Sequence, residues 1–138
     1  MSLLVKVMTP NKRVFEGNAE EIIIPALTGE IGVLEGHAAL ITSLKTGLCR
    51  IKASGIWTPV ILCGGLAEIV GNQVTVLVPE VEELENLTIE EATEDLEKAI
   101  YSLEKGLTEN SKTLLEIYED IQKKRARFEG VKYLSKYL

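Results

Sequence analysis

Up to about Leu84 the chain runs in short apolar stretches broken by turn residues, and beyond it the apolar spacing lengthens to that of a helix. Leu3–Met8 alternates around Val5 and Val7 before Thr9-Pro10-Asn11. Val14–Phe15 precedes Glu16-Gly17-Asn18, and Glu21–Ile24 ends at Pro25. Ile31–Leu34, Leu40–Leu44, Leu48–Ala53 and Trp57–Cys63 follow, each closed by a break that contains glycine. Leu66–Val70 and Val74–Val78 flank Gly71-Asn72-Gln73, a hairpin turn in which glycine and asparagine supply positive φ. Strands this short and this evenly punctuated predict roughly eight to ten strands in an antiparallel β-sandwich or flattened barrel. All four prolines fall in this half and are expected at turns or strand boundaries.

The second part carries no proline. Thr88-Ile89-Glu90-Glu91 fits a capping box, with Thr88 as N-cap and Glu91 reaching back. Ile89, Ala92, Leu96, Ala99, Ile100 and Leu103 then trace one helical face up to a stop at Gly106, and Leu107–Ser111 reads as a polar connection. Leu114, Leu115, Tyr118, Ile121, Arg125 and Phe128 outline a second helix, with Gly130 as its expected stop. The fold class is therefore α+β. A β-sandwich domain over residues 1–84 is followed by an antiparallel two-helix hairpin over residues 85–138.

Charge sharpens this picture. The net charge of −6 disfavours nucleic acid as a partner, because phosphate binding requires a basic face. The apolar runs are far too short to cross a bilayer, and MSLLVKVMTP lacks the charged flank and long apolar stretch of a secretory signal. Cys49 and Cys63 read as reduced, buried thiols. Glu80, Glu82, Glu83, Glu85, Glu90, Glu91, Glu94, Asp95 and Glu97 form an acidic run, whereas Lys123, Lys124, Arg125 and Arg127 cluster near the end of the second helix. That basic cluster has two readings: solvated cations complementing a helix C-terminus, or a surface that docks on an acidic partner.

The only histidine, His37, sits in Thr28-Gly-Glu-Ile-Gly-Val-Leu-Glu-Gly-His-Ala-Ala-Leu40. It could transfer a proton, ligate a metal or form part of a contact surface. No second histidine is available for a metal cluster, and Cys49 and Cys63 lack close-pair ligand spacing. Gly29, Gly32 and Gly64-Gly65 are not followed by the strand-to-helix patterns that cradle phosphates. The composition thus points to a non-catalytic binding or regulatory module, with no catalytic residue, cofactor or metal expected.

Thr28 to Gly47, with its Gly-Glu-Ile-Gly-Val-Leu-Glu-Gly-His-Ala-Ala-Leu-Ile-Thr-Ser-Leu core, resembles the characteristic stretch of the epsilon subunit of proton-translocating rotary ATP synthases. Gly64-Gly65-Leu66-Ala67-Glu68 and Asn72 to Val78 resemble a second family stretch at the expected distance. Arg125-Ala126-Arg127-Phe128 is similar to the tail of cyanobacterial and plastid members. The chain departs from the pattern at Glu35 and Ala39, where the family often has proline. It also departs at Ile89-Glu90-Glu91-Ala92-Thr93-Glu94, which lacks the arginine of the ATP-binding motif of some bacterial members.

The resemblance implies a non-catalytic subunit of the central rotor stalk, coupling proton translocation to ATP synthesis and restraining ATP hydrolysis through its helices. Its implied partners are the gamma subunit, the c-ring and the catalytic alpha and beta subunits. Glu30 and His37 are the implied c-ring contacts, and Lys123, Lys124, Arg125 and Arg127 the implied beta-subunit contacts. The implied location is peripheral, without a transmembrane segment, on the cytoplasmic or stromal face of an energy-transducing membrane such as a plastid or cyanobacterial thylakoid. An ATP-binding sensor of the same fold is the alternative.

Overall fold

A computed structural model of the chain describes residues 2–82, 84, 88–104 and 114–137. The strands are β1 (Leu3–Met8), β2 (Arg13–Ala19), β3 (Glu21–Ala26), β4 (Gly29–Val33), β5 (Leu40–Ser43), β6 (Gly47–Ala53), β7 (Ile56–Leu62), β8 (Leu66–Val70), β9 (Gln73–Leu77) and β10 (Val81–Glu82). Two helices follow, α1 (Ile89–Glu104) and α2 (Leu114–Tyr137). The chain divides into two compact units, Met1–Glu83 and Leu84–Leu138.

In the first unit the strands form two five-stranded sheets, ordered β2-β1-β9-β8-β5 and β10-β7-β6-β3-β4. The described ladders are antiparallel except β1 with β9, which run parallel. Period-two patterning places the core between the sheets: Leu3, Val5 and Val7 of β1 and Val74 and Val76 of β9 meet Ile22, Ile24, Val33, Ile51 and Leu62 of the second sheet, all 0% exposed. Each such side chain contributes about 1.5–3 kcal/mol through burial. Cys49 is a free thiol within this core, and Cys63 is free and half-buried.

The turns obey backbone sterics. Val70 pairs with Gln73, leaving the two-residue loop Gly71-Asn72 with φ of 56° and 63°, the I′ geometry that matches strand twist. At Gly65 the need for glycine is absolute. Its φ is 112°, and a Cβ there would lie 2.4 Å from the Leu77 carbonyl oxygen.

Several expectations are corrected. Pro59 lies inside β7, not at a boundary. The next strand, β10, pairs only with Ile61 and Leu62, so β7 has a free edge at Pro59 and its missing N–H deprives no neighbour. In the helical unit, the Glu91 N–H donates to Thr88 Oγ1 at 3.2 Å, the N-cap bond that the sequence predicts. Gly130 does not stop α2, which continues to Tyr137. Gly130 is buried, as are Ala126 and Val131 near it along the helix, and a glycine inside a helix costs roughly 0.5–1 kcal/mol without having to end it. The predicted apolar face of α2 is also not its buried one: Leu115 and Tyr118 are 69% and 54% exposed. Small residues, Ala92 and Ala99 on α1 with Ala126 on α2, occupy the buried positions where bulk would hold elements apart. Gly106 and Leu107–Ser111 fall outside the described residues.

Candidate docking site

The turn holding His37 is built by its crossing. β4 belongs to one sheet and β5 to the other, so Leu34–Ala39 must carry the chain over the end of the sandwich. Gly36 takes a positive φ of 86°, and its N–H donates to Asn72 Oδ1 at 2.7 Å. The His37 N–H donates to the Leu34 carbonyl at 3.1 Å, which closes the turn. His37 Nδ1 lies 2.7 Å from the Ala38 carbonyl oxygen. A carbonyl only accepts, so Nδ1 carries the proton, and in the neutral ring Nε2 is an acceptor. The imidazole is half-buried, while Leu34, Glu35, Gly36, Ala38 and Ala39 around it are exposed. The ring is thus oriented by its own chain among exposed neighbours. Among the described residues, no group of three His, Cys, Asp or Glu side chains is placed to hold a metal ion.

His37 lies in the turn beyond the far end of the edge strand β4, whereas Glu30 is the second residue of that strand. Its carboxylate accepts a hydrogen bond from the Arg50 guanidinium of β6, reaching across β3. Glu30 remains 58% exposed and Arg50 only 25%. The pair lies on the outer face of its sheet, because the neighbouring Ile31, Cys49 and Ile51 point into the core.

The basic cluster on α2 does not form one patch. Lys123 and Arg127, four residues apart, share a face, and Arg125 projects on the opposite side. Arg125 is exposed, whereas Lys123, Lys124 and Arg127 are half-buried. Lys124 Nζ pairs with Asp120 at 2.7 Å and Arg125 Nε with Glu129 at 3.4 Å, both along the helix itself.

One surface escaped the reading of the sequence. On the outer face of the first sheet, Ile41, Leu66, Val70 and Leu77 are 64%, 42%, 50% and 49% exposed. Register joins only part of them: Leu66 lies opposite Leu77, which lies opposite Met8, whereas Ile41 lies opposite Glu68 and Val70 opposite Gln73. Exposed apolar side chains on one sheet face, here interspersed with Glu68, Gln73 and Thr75, make that face a candidate interaction surface. Its signal was present, since Leu66, Val70 and Leu77 occupy positions that alternate with the core residues Ala67, Ile69 and Val76.

The family described as ATP synthase, Delta/Epsilon chain, beta-sandwich domain matches residues 2–84. The ATP synthase epsilon chain, chloroplastic, of Thalassiosira pseudonana is 51% identical over 135 residues, which are 98% of this chain and 100% of that one. The chain belongs to the ATP synthase epsilon-chain family. A cyanobacterial epsilon chain, from Prochlorococcus marinus, is 40% identical over 96% of this chain and 99% of its own. The epsilon-chain fold also recurs in a solved chain. In the cryo-EM structure of the Euglena gracilis mitochondrial ATP synthase, OSCP/F1/c-ring in rotational state 1, one chain superposes with a TM-score of 0.71 at 20% identity, covering 97% of this chain and 81% of that one. The sandwich followed by two helices is thus the architecture of the family, and the first turn of α1 here carries Glu90 and Glu91. Those carboxylates already complement the positive end of the helix, which leaves little for a nucleotide phosphate to gain there.

Proposed function

We propose that this epsilon chain is a non-catalytic subunit of the central stalk of a thylakoid-type ATP synthase. It couples proton translocation to ATP synthesis and restrains ATP hydrolysis through its helices. The observation that carries the reading is the exposed apolar face of Ile41, Leu66, Val70 and Leu77 on a domain matched end to end by a chloroplastic epsilon chain. A domain that offers apolar surface, not a catalytic constellation, works by docking. In this reading the apolar face seats on the gamma subunit, Glu30 and His37 meet the c-ring, and Lys123, Lys124, Arg125 and Arg127 meet the catalytic beta subunits. No described helix is long and apolar enough to cross the membrane. The subunit accordingly sits peripherally, on the stromal or cytoplasmic face of the thylakoid, held by its partners.

The test is reconstitution. Thylakoid ATP synthase stripped of its own epsilon chain is supplied with this protein, and proton-driven synthesis and dark ATP hydrolysis are measured. Restored synthesis together with suppressed hydrolysis is the expected result. A protein that binds the complex and changes neither rate would end the proposal.

A further inference from the structure

Asn72 sits where three parts of the sandwich converge. Its backbone forms the β8–β9 turn in the left-handed region, with φ of 63°. Its carbonyl oxygen accepts from the Leu4 N–H at 2.9 Å, tying the turn to the start of β1. Its side-chain oxygen accepts from the Gly36 N–H at 2.7 Å, 36 residues away in sequence. Gly36 immediately precedes His37, whose own N–H makes a local bond to the Leu34 carbonyl within the turn. Between its anchored ends on β4 and β5, the turn is thus tied by the bond to Asn72 to a part of the domain distant in sequence.

We propose that Asn72 is a positioning residue for docking. It holds the Leu34–Ala39 turn in one conformation, so that His37 is presented to the c-ring ready-ordered. The inference rests on the docking reading of His37 given above.

The residue type fits the task. Position 72 must adopt a positive φ and also present an acceptor two bonds beyond Cβ. Asparagine and aspartate meet both demands, whereas glycine meets only the first. A turn that is ordered before contact avoids losing conformational freedom on binding, which is how preorganisation raises affinity.

The experiment compares Asn72→Gly, Asn72→Asp and His37→Trp with the unchanged chain. Asn72→Gly keeps the turn geometry and deletes the acceptor, while Asn72→Asp keeps both. In the free protein, amide exchange at Gly36 should speed up by about three- to tenfold in Asn72→Gly and stay slow in Asn72→Asp. In reconstituted complexes, the concentration needed for half-maximal coupling should rise by a similar factor in Asn72→Gly. It should return to normal in Asn72→Asp, with melting temperatures matched among the variants. Exchange that does not change in Asn72→Gly would overturn the proposal at its structural root. Faster exchange with unchanged coupling, while His37→Trp impairs coupling, would overturn the positioning role and leave the docking reading standing. If His37→Trp is also silent, the docking reading fails and this proposal goes with it. Should Asn72→Gly lower the melting temperature markedly, Asn72→Asp still decides. A normal fold with lost coupling in that variant, despite a protected Gly36 amide, would refute the role of the acceptor.

Discussion

The carboxylate of Glu30 is held by the guanidinium of Arg50, two strands away on the outer face of the second sheet. Both groups stay within reach of water, Glu30 more so than Arg50. Their bond orients a side chain more than it stabilises the fold, because a partly exposed pair contributes about 0–1 kcal/mol.

A double-mutant cycle follows from that pair. Glu30→Gln, Arg50→Gln and the double variant should show a coupling energy of no more than about 1 kcal/mol in urea unfolding. In reconstituted complexes Arg50→Gln should weaken coupling in the same direction as Glu30→Gln, and the double variant should be no worse than the stronger single one. Additive losses would mean that Arg50 acts on its own and not by aiming Glu30.

The second prediction concerns Cys49. Burial pushes its thiol from 9.0 up to about 12, against the opposing pull of the adjacent Arg50 cation. Below about pH 9 both folded and unfolded chains keep this proton, and the thiol adds no pH dependence. Above it the unfolded chain releases the proton while the folded one retains it, so stability falls as pH rises towards about 12. The slope approaches about 1.4 kcal/mol per pH unit. Cys49→Val removes the group at similar volume. The stability difference between the two proteins should therefore shift in favour of the variant from about pH 9 to 11. Parallel curves would show that the thiol reaches solvent.

Backbone geometry supplies the third. Gly65→Ala must either move a Cβ off the Leu77 carbonyl or part the start of β8 from the end of β9, and its φ of 112° is unfavourable for any side chain. A loss on the order of 3 kcal/mol or more is expected. Gly64 also has a positive φ, 80°, yet open space where a Cβ would go. Gly64→Ala should therefore cost only the left-handed strain of about 1–2 kcal/mol. Equal losses in urea unfolding would mean that the contact at Gly65 relaxes without cost.

The local rules carried far in this sequence. Strand patterning, the Gly71-Asn72 turn and the Thr88 cap each depend on a few neighbouring residues, and each is found in the fold. What was hidden depends on residues far apart in the chain. The parallel pairing of β1 with β9 joins positions near Leu4 and Gln73, and β10 exists only because Val81 meets Leu62. Pro59 looked like a boundary because proline usually is one, and only the short reach of β10 makes its place in β7 tolerable. Leu115 and Tyr118 drew the eye as a helical face, but burial followed the small residues Ala126 and Gly130 instead. At the candidate site, the resemblance pointed to Glu30 and His37. The bonds that Arg50 makes to Glu30 and Asn72 makes to Gly36 carried no local signal, since each joins parts of the chain that are neighbours only once folded.

The last prediction tests the basic cluster in the light of its geometry. Deleting residues 110–138 removes α2 entirely and leaves the sandwich with its apolar face and the His37 turn. Complexes reconstituted with this truncation should still couple, but should hydrolyse ATP faster in the absence of a proton gradient. Point changes then separate the two sides of the helix. Lys123 and Arg127 share one face, so replacing both with glutamine should reproduce much of the release if that face meets the beta subunits. Arg125 projects from the other face and already pairs with Glu129. Arg125→Gln alone should change hydrolysis little, since single charge contacts at a partly exposed interface contribute about 1 kcal/mol or less. Raising the salt to about 1 M shortens the Debye length to about 3 Å and should mimic the double neutralisation. Equal hydrolysis by truncated and full-length complexes would mean that α2 is not an inhibitor, and the docking reading of its cations would fall with it.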